Sequence, residues 1–261
     1  MHALAEAIWT EQLKARRSLV PRITLLGLSL VPLMVGLFLL ILKNPAWASH
    51  FSALTVKARA SGLVADWGGY WSVLTQGVAI GGFCVFGIIV IWLFGREFSD
   101  RTAKDLLALP IGRATIVTAK LLVASLWALG LAIWVYGLGF VLGALIGLSN
   151  GTAMVFVQAT GRFALVSGLT IVLVLPFAWV ASAGRGYLAP VGALFLVVFF
   201  SQILAALGVG ALFPWAVPAL LSGAAGPAAT TINLGSLLLV VLCASGGIAA
   251  TFAWWRYADQ T

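Results

Sequence analysis

Residues 71–113 of this chain read WSVLTQGVAIGGFCVFGIIVIWLFGREFSDRTAKDLLALPIGR, a long apolar run that ends in a compact group of charges. No charged residue occurs up to Phe94, and about 20 apolar residues in a helix can cross the hydrocarbon core of a bilayer. The segment Arg96–Asp105 then holds six of the chain's 22 charged residues (15 basic and 7 acidic). The pattern predicts a membrane-spanning helix followed by a polar loop, where the protein meets a partner in water.

The rest of the chain has the composition of a membrane protein. Hydrophobic residues make up 62% of its 261 residues and charged residues 8%, whereas soluble proteins carry about 25% charged residues. The apolar runs are continuous, unlike the alternating segments of about ten residues in a membrane β-barrel, so each is expected to be a helix. The sequence predicts an all-α polytopic integral membrane protein with six spans, at about residues 23–42, 71–94, 121–148, 163–181, 187–208 and 234–253.

The basic residues are distributed as membrane topology requires. A net charge of +8 is compatible with nucleic-acid binding, but the positive charges follow the positive-inside rule instead. With the N-terminus inside, eleven lie on the cytoplasmic side and four on the outer side, namely Lys43, Lys57, Arg59 and Arg162. We therefore expect no nucleic-acid partner, a location in the cytoplasmic membrane, and both termini in the cytoplasm.

The N-terminal residues 2–20 are predicted to form an amphipathic helix. Leu4, Ala7, Ile8 and Glu11 recur three and four residues apart, ahead of a basic segment. This pattern is typical of a helix that lies in the membrane interface, in contact with lipid. A frayed cytoplasmic tail is the alternative.

Two patterns of small residues concern packing. Gly139, Gly143 and Gly147 repeat every four residues, a spacing that lets helices approach closely, either within the chain or between two copies. Residues 209–232 contain too much proline and glycine for a span, so we expect a short re-entrant or interface element on the outer side.

Few polar side chains lie within the predicted spans. Gln76, Tyr136 and Gln202 are uncharged, and Arg162 lies at the outer end of the fourth span. Such residues either join helices by hydrogen bonds or contact a substrate, and an arginine can also extend to the interface. These four are the candidates for a substrate path, and the scarcity of charge suits an apolar or amphipathic substrate.

The chain lacks the residues that several kinds of membrane protein need. None of its seven acidic residues and neither histidine lies inside a predicted span, which argues against proton-coupled transporters and intramembrane proteases. The nucleotide-binding pattern GxxxxGK[ST] is absent from the sequence. We expect no catalytic, cofactor or metal site in this chain, so energy for transport enters through a partner. A sodium-coupled carrier, a passive channel and an assembly scaffold are the alternatives.

The charged loop is predicted to contain a short helix that runs along the membrane surface. Thr102 and Asp105 have the spacing of a capping box, and Pro110 disfavours helix at the residue before it. The predicted helix covers residues 97–109. Its candidate docking residues are Glu97, Asp100, Arg101, Thr102, Lys104, Asp105, Leu106 and Leu109.

This segment resembles the permease subunits of ABC-2 type transporters. The residues that carry the resemblance are Gly95, Arg96, Glu97, Thr102, Lys104, Leu106 to Ile111, Arg113, and Lys120 to Leu122. The basic N-terminal helix, the six spans and the proline-bearing element before the last span extend the resemblance over residues 1–261, as a single transmembrane domain.

The resemblance implies a role for the loop. In this family, the segment between the second and third spans is the coupling helix, which sits in a groove of a separate nucleotide-binding subunit. That subunit binds ATP and magnesium, and two permease copies join two ATPase subunits. The resemblance thus implies a permease subunit of an exporter, a homodimer of permeases, and no enzymatic activity in this chain itself.

Overall fold

The computed structural model describes residues 2–44, 46, 50, 56, 63–102, 111–224 and 232–257. Within these residues, six helical segments are long and apolar enough to cross a membrane. The predicted all-α polytopic architecture with six spans is therefore confirmed. The segments are Val20–Lys43, Trp67–Ser99, Arg113–Ile146, Ala153–Ala183, Leu188–Ala206 and Leu234–Tyr257.

Most of the described residues lie in helices. The longer helices are α1 (His2–Arg17), α2 (Val20–Lys43), α3 (Trp67–Gly77), α4 (Phe83–Ser99), α5 (Arg113–Ile146), α6 (Ala153–Val174), α7 (Phe177–Ala183), α8 (Leu188–Ala206), α9 (Val217–Ser222) and α10 (Leu234–Tyr257). A π-helical turn, Val78–Gly82, joins α3 to α4, and two 3₁₀ turns, Gly210–Leu212 and Pro214–Ala216, precede α9.

Two spans begin well before the positions predicted from sequence. The third starts at Arg113 and the fourth at Ala153, whereas the apolar runs begin at about residues 121 and 163. The runs are interrupted by Lys120 and Arg162, but each side chain has partners in the fold. The buried Lys120 is bound by carboxylates, and the exposed Arg162 donates to a backbone carbonyl. A charge with such partners does not end a helix.

The second and fourth spans form the centre of the bundle. In their most apolar windows, 61% and 56% of the residues are buried, against 17–33% in the other four spans. Tyr70, Leu74, Phe86 and Leu93 of the second span are completely enclosed. The remaining spans surround this pair and expose leucine, valine and phenylalanine side chains, as helices in contact with lipid do.

Hydrogen bonds tie the helix ends together at opposite ends of the bundle. At one end, the Lys43 ammonium group donates to the carbonyls of Ile146 (2.8 Å) and Gly147 (2.7 Å), where α5 ends. At the other end, Arg113 donates to the Trp255 carbonyl (3.2 Å), which places the start of α5 beside the end of α10. Six spans lie between α1 and the end of α10, and an even number of crossings returns the chain to the side on which it began. Both therefore lie at the same end of the bundle.

The three repeated glycines serve packing and helix termination within one chain. A Cβ atom at Gly139 would lie 2.6 Å from a methyl carbon of Leu74, and one at Gly143 would lie 2.5 Å from the Trp67 ring. Gly147 ends α5 in the left-handed conformation. Of the two alternatives for this pattern, the structure favours close packing of α5 against α3 within one chain.

The proline-rich segment after α8 forms the expected short element rather than a span. Its described part consists of the two 3₁₀ turns and α9. Trp215 anchors it by donating from its indole nitrogen to the Leu173 carbonyl at 3.0 Å, and α9 packs on α6. Residues 225–231 lie outside the described part of the chain.

Replacing glycines on α5 by alanine is expected to have opposite effects at two nearby positions. At Gly137 an added methyl group meets no atom within 4 Å, so Gly137→Ala should raise the free energy of unfolding by about 0.5–1 kcal/mol through helix propensity. At Gly143 the methyl group would overlap the Trp67 ring, so Gly143→Ala should lower it by about 1–3 kcal/mol. Unfolding in detergent measures both, and equal shifts would contradict the packing described.

Cysteine labelling tests the arrangement of the ends. Ser99 and Ser149 are both exposed and lie at opposite ends of the bundle. In a variant in which alanine replaces Cys84 and Cys243, Ser99→Cys should react with an impermeant maleimide only from the cytoplasm and Ser149→Cys only from outside. Labelling of both from one side would refute this topology.

Candidate functional site

The end of α4 turns the chain sharply into the loop that was predicted to dock a partner. The amide of Arg101 donates to the Phe98 carbonyl and that of Thr102 to the Glu97 carbonyl, the two bonds of a Schellman cap. Arg101 adopts the left-handed conformation that this cap requires, with φ of 59°. The cap therefore ends α4 in a defined turn through Thr102.

Four charged side chains lie together beneath this turn, and we call Glu11, Lys14, Glu97 and Lys120 the charge cluster. The Lys120 ammonium group lies 2.9 Å from the Glu97 carboxylate and 3.1 Å from that of Glu11. Lys14 lies 2.8 Å from Glu11 and 3.1 Å from Glu97. Two carboxylates and two ammonium groups thus alternate, and the cluster has no net charge.

Further hydrogen bonds complete the charge cluster. Lys120, whose side chain is fully enclosed, also donates to the Leu93 carbonyl at 2.9 Å. The hydroxyl of Thr102 donates to the second oxygen of Glu97 at 2.7 Å. The loop is therefore bound to the cluster by both the backbone and the side chain of Thr102.

Burial makes the pairing within the cluster necessary. The side chains of Glu11 and Glu97 are each 4% exposed, and an unpaired buried charge costs several kcal/mol, roughly 3–5 when one partner is removed. Burial by itself would lower the pKa of Lys14, but the Glu11 and Glu97 carboxylates outweigh that effect and raise it. The cluster is thus a structural joint between α1, α4 and α5.

The structure divides the candidate docking residues into three groups. Glu97 faces the interior as part of the charge cluster, and Thr102 is bound to it. Asp100 and Arg101 are exposed on the turn, where Asp100 lies 3.9 Å from Arg96. Lys104, Asp105, Leu106 and Leu109 lie outside the described residues, so a helix after Thr102, the cap at Thr102 and the docking role stay predictions. The predicted start of that helix at residue 97 is wrong, because Glu97–Ser99 continue α4 and residues 100–102 form the turn that ends it.

Sequence reasoning missed Glu11, Lys14 and Lys120 as members of a site. One signal was present, since Glu11 shares the helical spacing of Leu4, Ala7 and Ile8. This face of α1 was predicted to contact lipid, but in the structure it packs on α5. An acidic residue on an otherwise apolar face indicates a buried partner. Nothing in the sequence identified that partner as Lys120, 109 residues further along the chain.

The four candidates for a substrate path do not form one site. Tyr136 bonds to the Thr160 hydroxyl at 2.7 Å, and Arg162 donates to the Leu221 carbonyl at 2.8 Å, so both join elements of the bundle. Gln76 lines an open cleft of about 430 Å³ between α2 and α3. Gln202 lies at a separate, smaller pocket beside Trp215. Gln76 is thus the one of the four that faces a sizeable space.

The cleft beside Gln76 is almost entirely apolar. Its other lining residues come from α2, α3 and the π-helical turn and are Leu30, Val31, Met34, Val35, Val73, Gly77, Ile80 and Gly81. Among the described residues, no group of three or more histidine, cysteine, aspartate or glutamate side chains could hold a metal ion.

Removing Lys120 tests the charge cluster. Lys120→Met leaves two buried carboxylates with one ammonium group, so we expect the free energy of unfolding in detergent to fall by about 3–5 kcal/mol. Adding Glu97→Gln in the same chain should recover part of the loss. Asp100→Asn, which breaks only the exposed pair with Arg96, is the control and should cost about 1 kcal/mol or less. Similar losses in Lys120→Met and Asp100→Asn would mean that the cluster does not hold these helices together.

Comparison with known proteins identifies the family of this helical bundle. No solved structure matches the chain. It is 28% identical over 182 residues to the bacitracin transport permease protein BCRB of Bacillus licheniformis, covering 68% of this chain and 85% of the relative. The model of the ABC-2 family transporter proteins matches residues 7–202, which include α1 from Ala7 onward, the charge cluster and the first four spans. Since that match spans well over half of the sequence, the chain belongs to the ABC-2 family of transporter proteins.

Proposed function

We propose that this protein is the permease subunit of an exporter in the cytoplasmic membrane, driven by a separate ABC ATPase that docks on the loop after α4, residues 100–109. The observation that carries the proposal is the charge cluster. The cluster fixes the base of that loop to α1, α4 and α5 at once. A surface that transmits force from a partner to the membrane domain needs such a firm attachment. Membership of the ABC-2 family supports an ATPase partner in a transporter complex.

The contacts of Glu97 and Thr102 suggest how force enters the membrane domain. A displacement of the loop acts on Thr102, which is bonded to Glu97 through its backbone and its hydroxyl. Glu97 is bonded in turn to Lys120 of α5 and Lys14 of α1. Because a buried ion pair is costly to break, α1, α4 and α5 should move together, which shifts the balance between inward-facing and outward-facing states.

The orientation of the complex follows from the distribution of charge. The cluster, Arg96, Arg101 and Arg113 lie at the end of the bundle that carries most basic residues, which the positive-inside rule places in the cytoplasm. ATP is available there, so the partner binds at that end. Two ATPase subunits in such a complex need two loops, which supports a two-fold pair of permeases.

An apolar or amphipathic molecule is the cargo class that the structure supports best. The open cleft between α2 and α3 offers one amide, Gln76, on an apolar wall, and contains no charge that could bind an ionic substrate. Bacitracin transport is in the name of the Bacillus relative. For this chain we propose only the broader class.

Pull-down of the cognate ATPase tests the proposal. Leu106→Asp and Leu109→Asp would place a carboxylate in a desolvated contact, where an unpaired charge costs several kcal/mol, so binding and substrate-stimulated hydrolysis should collapse. Arg101→Ala, on the same loop but at its exposed turn, is the matched control and should cost about 1 kcal/mol or less.

Two outcomes would refute the proposed function. One is normal ATPase binding and turnover by both leucine variants, which would show that the loop is not the docking surface. The other is substrate accumulation against a gradient by the purified chain alone in vesicles, which is the behaviour of an ion-coupled carrier.

A further inference from the structure

The first helix has two different faces, and the charge cluster accounts for only one of them. Ala7, Glu11 and Ala15 are buried, spaced four residues apart, and face α5. On the opposite side, Trp9 is 62% exposed and Leu13 36%. A large tryptophan exposed on a helix that is otherwise well packed indicates a contact that lies outside this chain.

Exposed basic residues flank this apolar patch. Arg16 and Arg17 are exposed at the end of α1, on the same side as Trp9 and Leu13, and Arg22 is exposed one turn into α2. Glu6 is the acidic residue on the exposed side of α1. Glu11 lies on the buried side, where it is paired with Lys14 and Lys120. The outward face of α1 is thus apolar at its centre and positive at its C-terminal end.

The apolar patch continues into a surface that lies against lipid. Two residues after α1, the exposed side chains of Leu19 (66%) and Ile23 (63%) begin the outer face of α2. Since α2 has the length and composition of a membrane span, its exposed apolar face borders acyl chains. The chain passes from α1 to α2 through Ser18 and Leu19 alone, so the patch on α1 lies at the edge of the same bilayer.

We propose that the outward face of α1, formed by Trp9, Leu13, Arg16 and Arg17 together with Arg22, binds the headgroup layer of an anionic lipid leaflet. Indole rings favour the depth of the headgroups, and one guanidinium group can bind two oxygens of a phosphate at once. Basic residues near an anionic leaflet are attracted to it within a Debye length. A zwitterionic leaflet offers the same phosphate oxygens but no net negative charge, so it attracts the three arginines less strongly.

Through α1, lipid at the membrane surface would be connected to the loop. The same helix contributes Glu11 and Lys14 to the charge cluster on its inner face, so lipid bound outside would brace the base of the loop through about one helix diameter. Lipid binding itself does not depend on the proposed function. Only an effect of anionic lipid on ATP-driven turnover would rest on it.

Quenching by brominated lipids tests the contact directly and without an ATPase. Thr10 is exposed beside Trp9, and Thr10→Cys can carry a bimane fluorophore in the full chain when alanine replaces Cys84 and Cys243. The labelled protein is reconstituted in vesicles of phosphatidylcholine and phosphatidylglycerol in which either lipid, at equal mole fraction, is dibrominated. We expect brominated phosphatidylglycerol to quench two- to threefold more strongly, and the preference to fall in 0.5 M salt.

Charge variants separate this face from general attraction to basic protein. Arg16→Gln with Arg17→Gln should abolish the preference for phosphatidylglycerol, whereas Arg16→Lys with Arg17→Lys should retain most of it. Arg101→Gln, at the same end but off α1, should leave it unchanged. Equal quenching by the two lipids in the unmodified protein, or equal loss in Arg101→Gln, would overturn the proposal. Absence of quenching by either lipid would do so too, and would make the face a candidate surface for another protein.

Discussion

Hydrocarbon does not solvate charge, and the structure of this protein is organised by that constraint. Most of the charged residues that the structure describes lie at the two ends of the bundle, where water and headgroups are available. Three enclosed charges, Glu11, Glu97 and Lys120, and the partly exposed Lys14 balance one another at distances of 2.8–3.1 Å. An isolated buried ion would be far too costly, so none of these four helix positions is independent of the other three.

The pairing has consequences beyond the stability of one corner. It lets α5 continue through Lys120 as far back as Arg113 and holds α1 against α5 at a place where an N-terminal helix would otherwise fray. It also fixes the turn at Arg101 and Thr102, since Glu97 accepts hydrogen bonds from Thr102 through both its side chain and its carbonyl. One neutral group of charges thus holds the turn that leads into the loop on which an ATPase is proposed to dock.

The sequence was sufficient for the class of fold and the number of spans, because continuous apolar runs have a single physical solution in a membrane. It was insufficient for the ends of the spans, since Lys120 and Arg162 interrupt the runs and only their distant partners show that the helices continue. The glycine spacing on α5 predicted a close approach, but Trp67 and Leu74 became known as the neighbours only from the packing. Three of the four ion pairs in the charge cluster join residues 23, 83 and 109 positions apart, and no local pattern encodes such pairs. The docking residues after Thr102 rest on the resemblance and on the pattern of Leu106 and Leu109.

The length of α5 allows a rigid tilt of this helix to move both of its ends. At 34 residues and 1.5 Å per residue, the helix is about 51 Å long, some 20 Å longer than the hydrocarbon core is thick. Hydrogen bonds from Lys43 hold the C-terminal end of α5. The charge cluster and the hydrogen bond from Arg113 to the end of α10 hold its N-terminal part. A tilt of about 10° around its midpoint carries each end through roughly 4 Å in opposite directions. A small rotation imposed at the end that carries the charge cluster therefore displaces the opposite end of the bundle, without any change inside the helix.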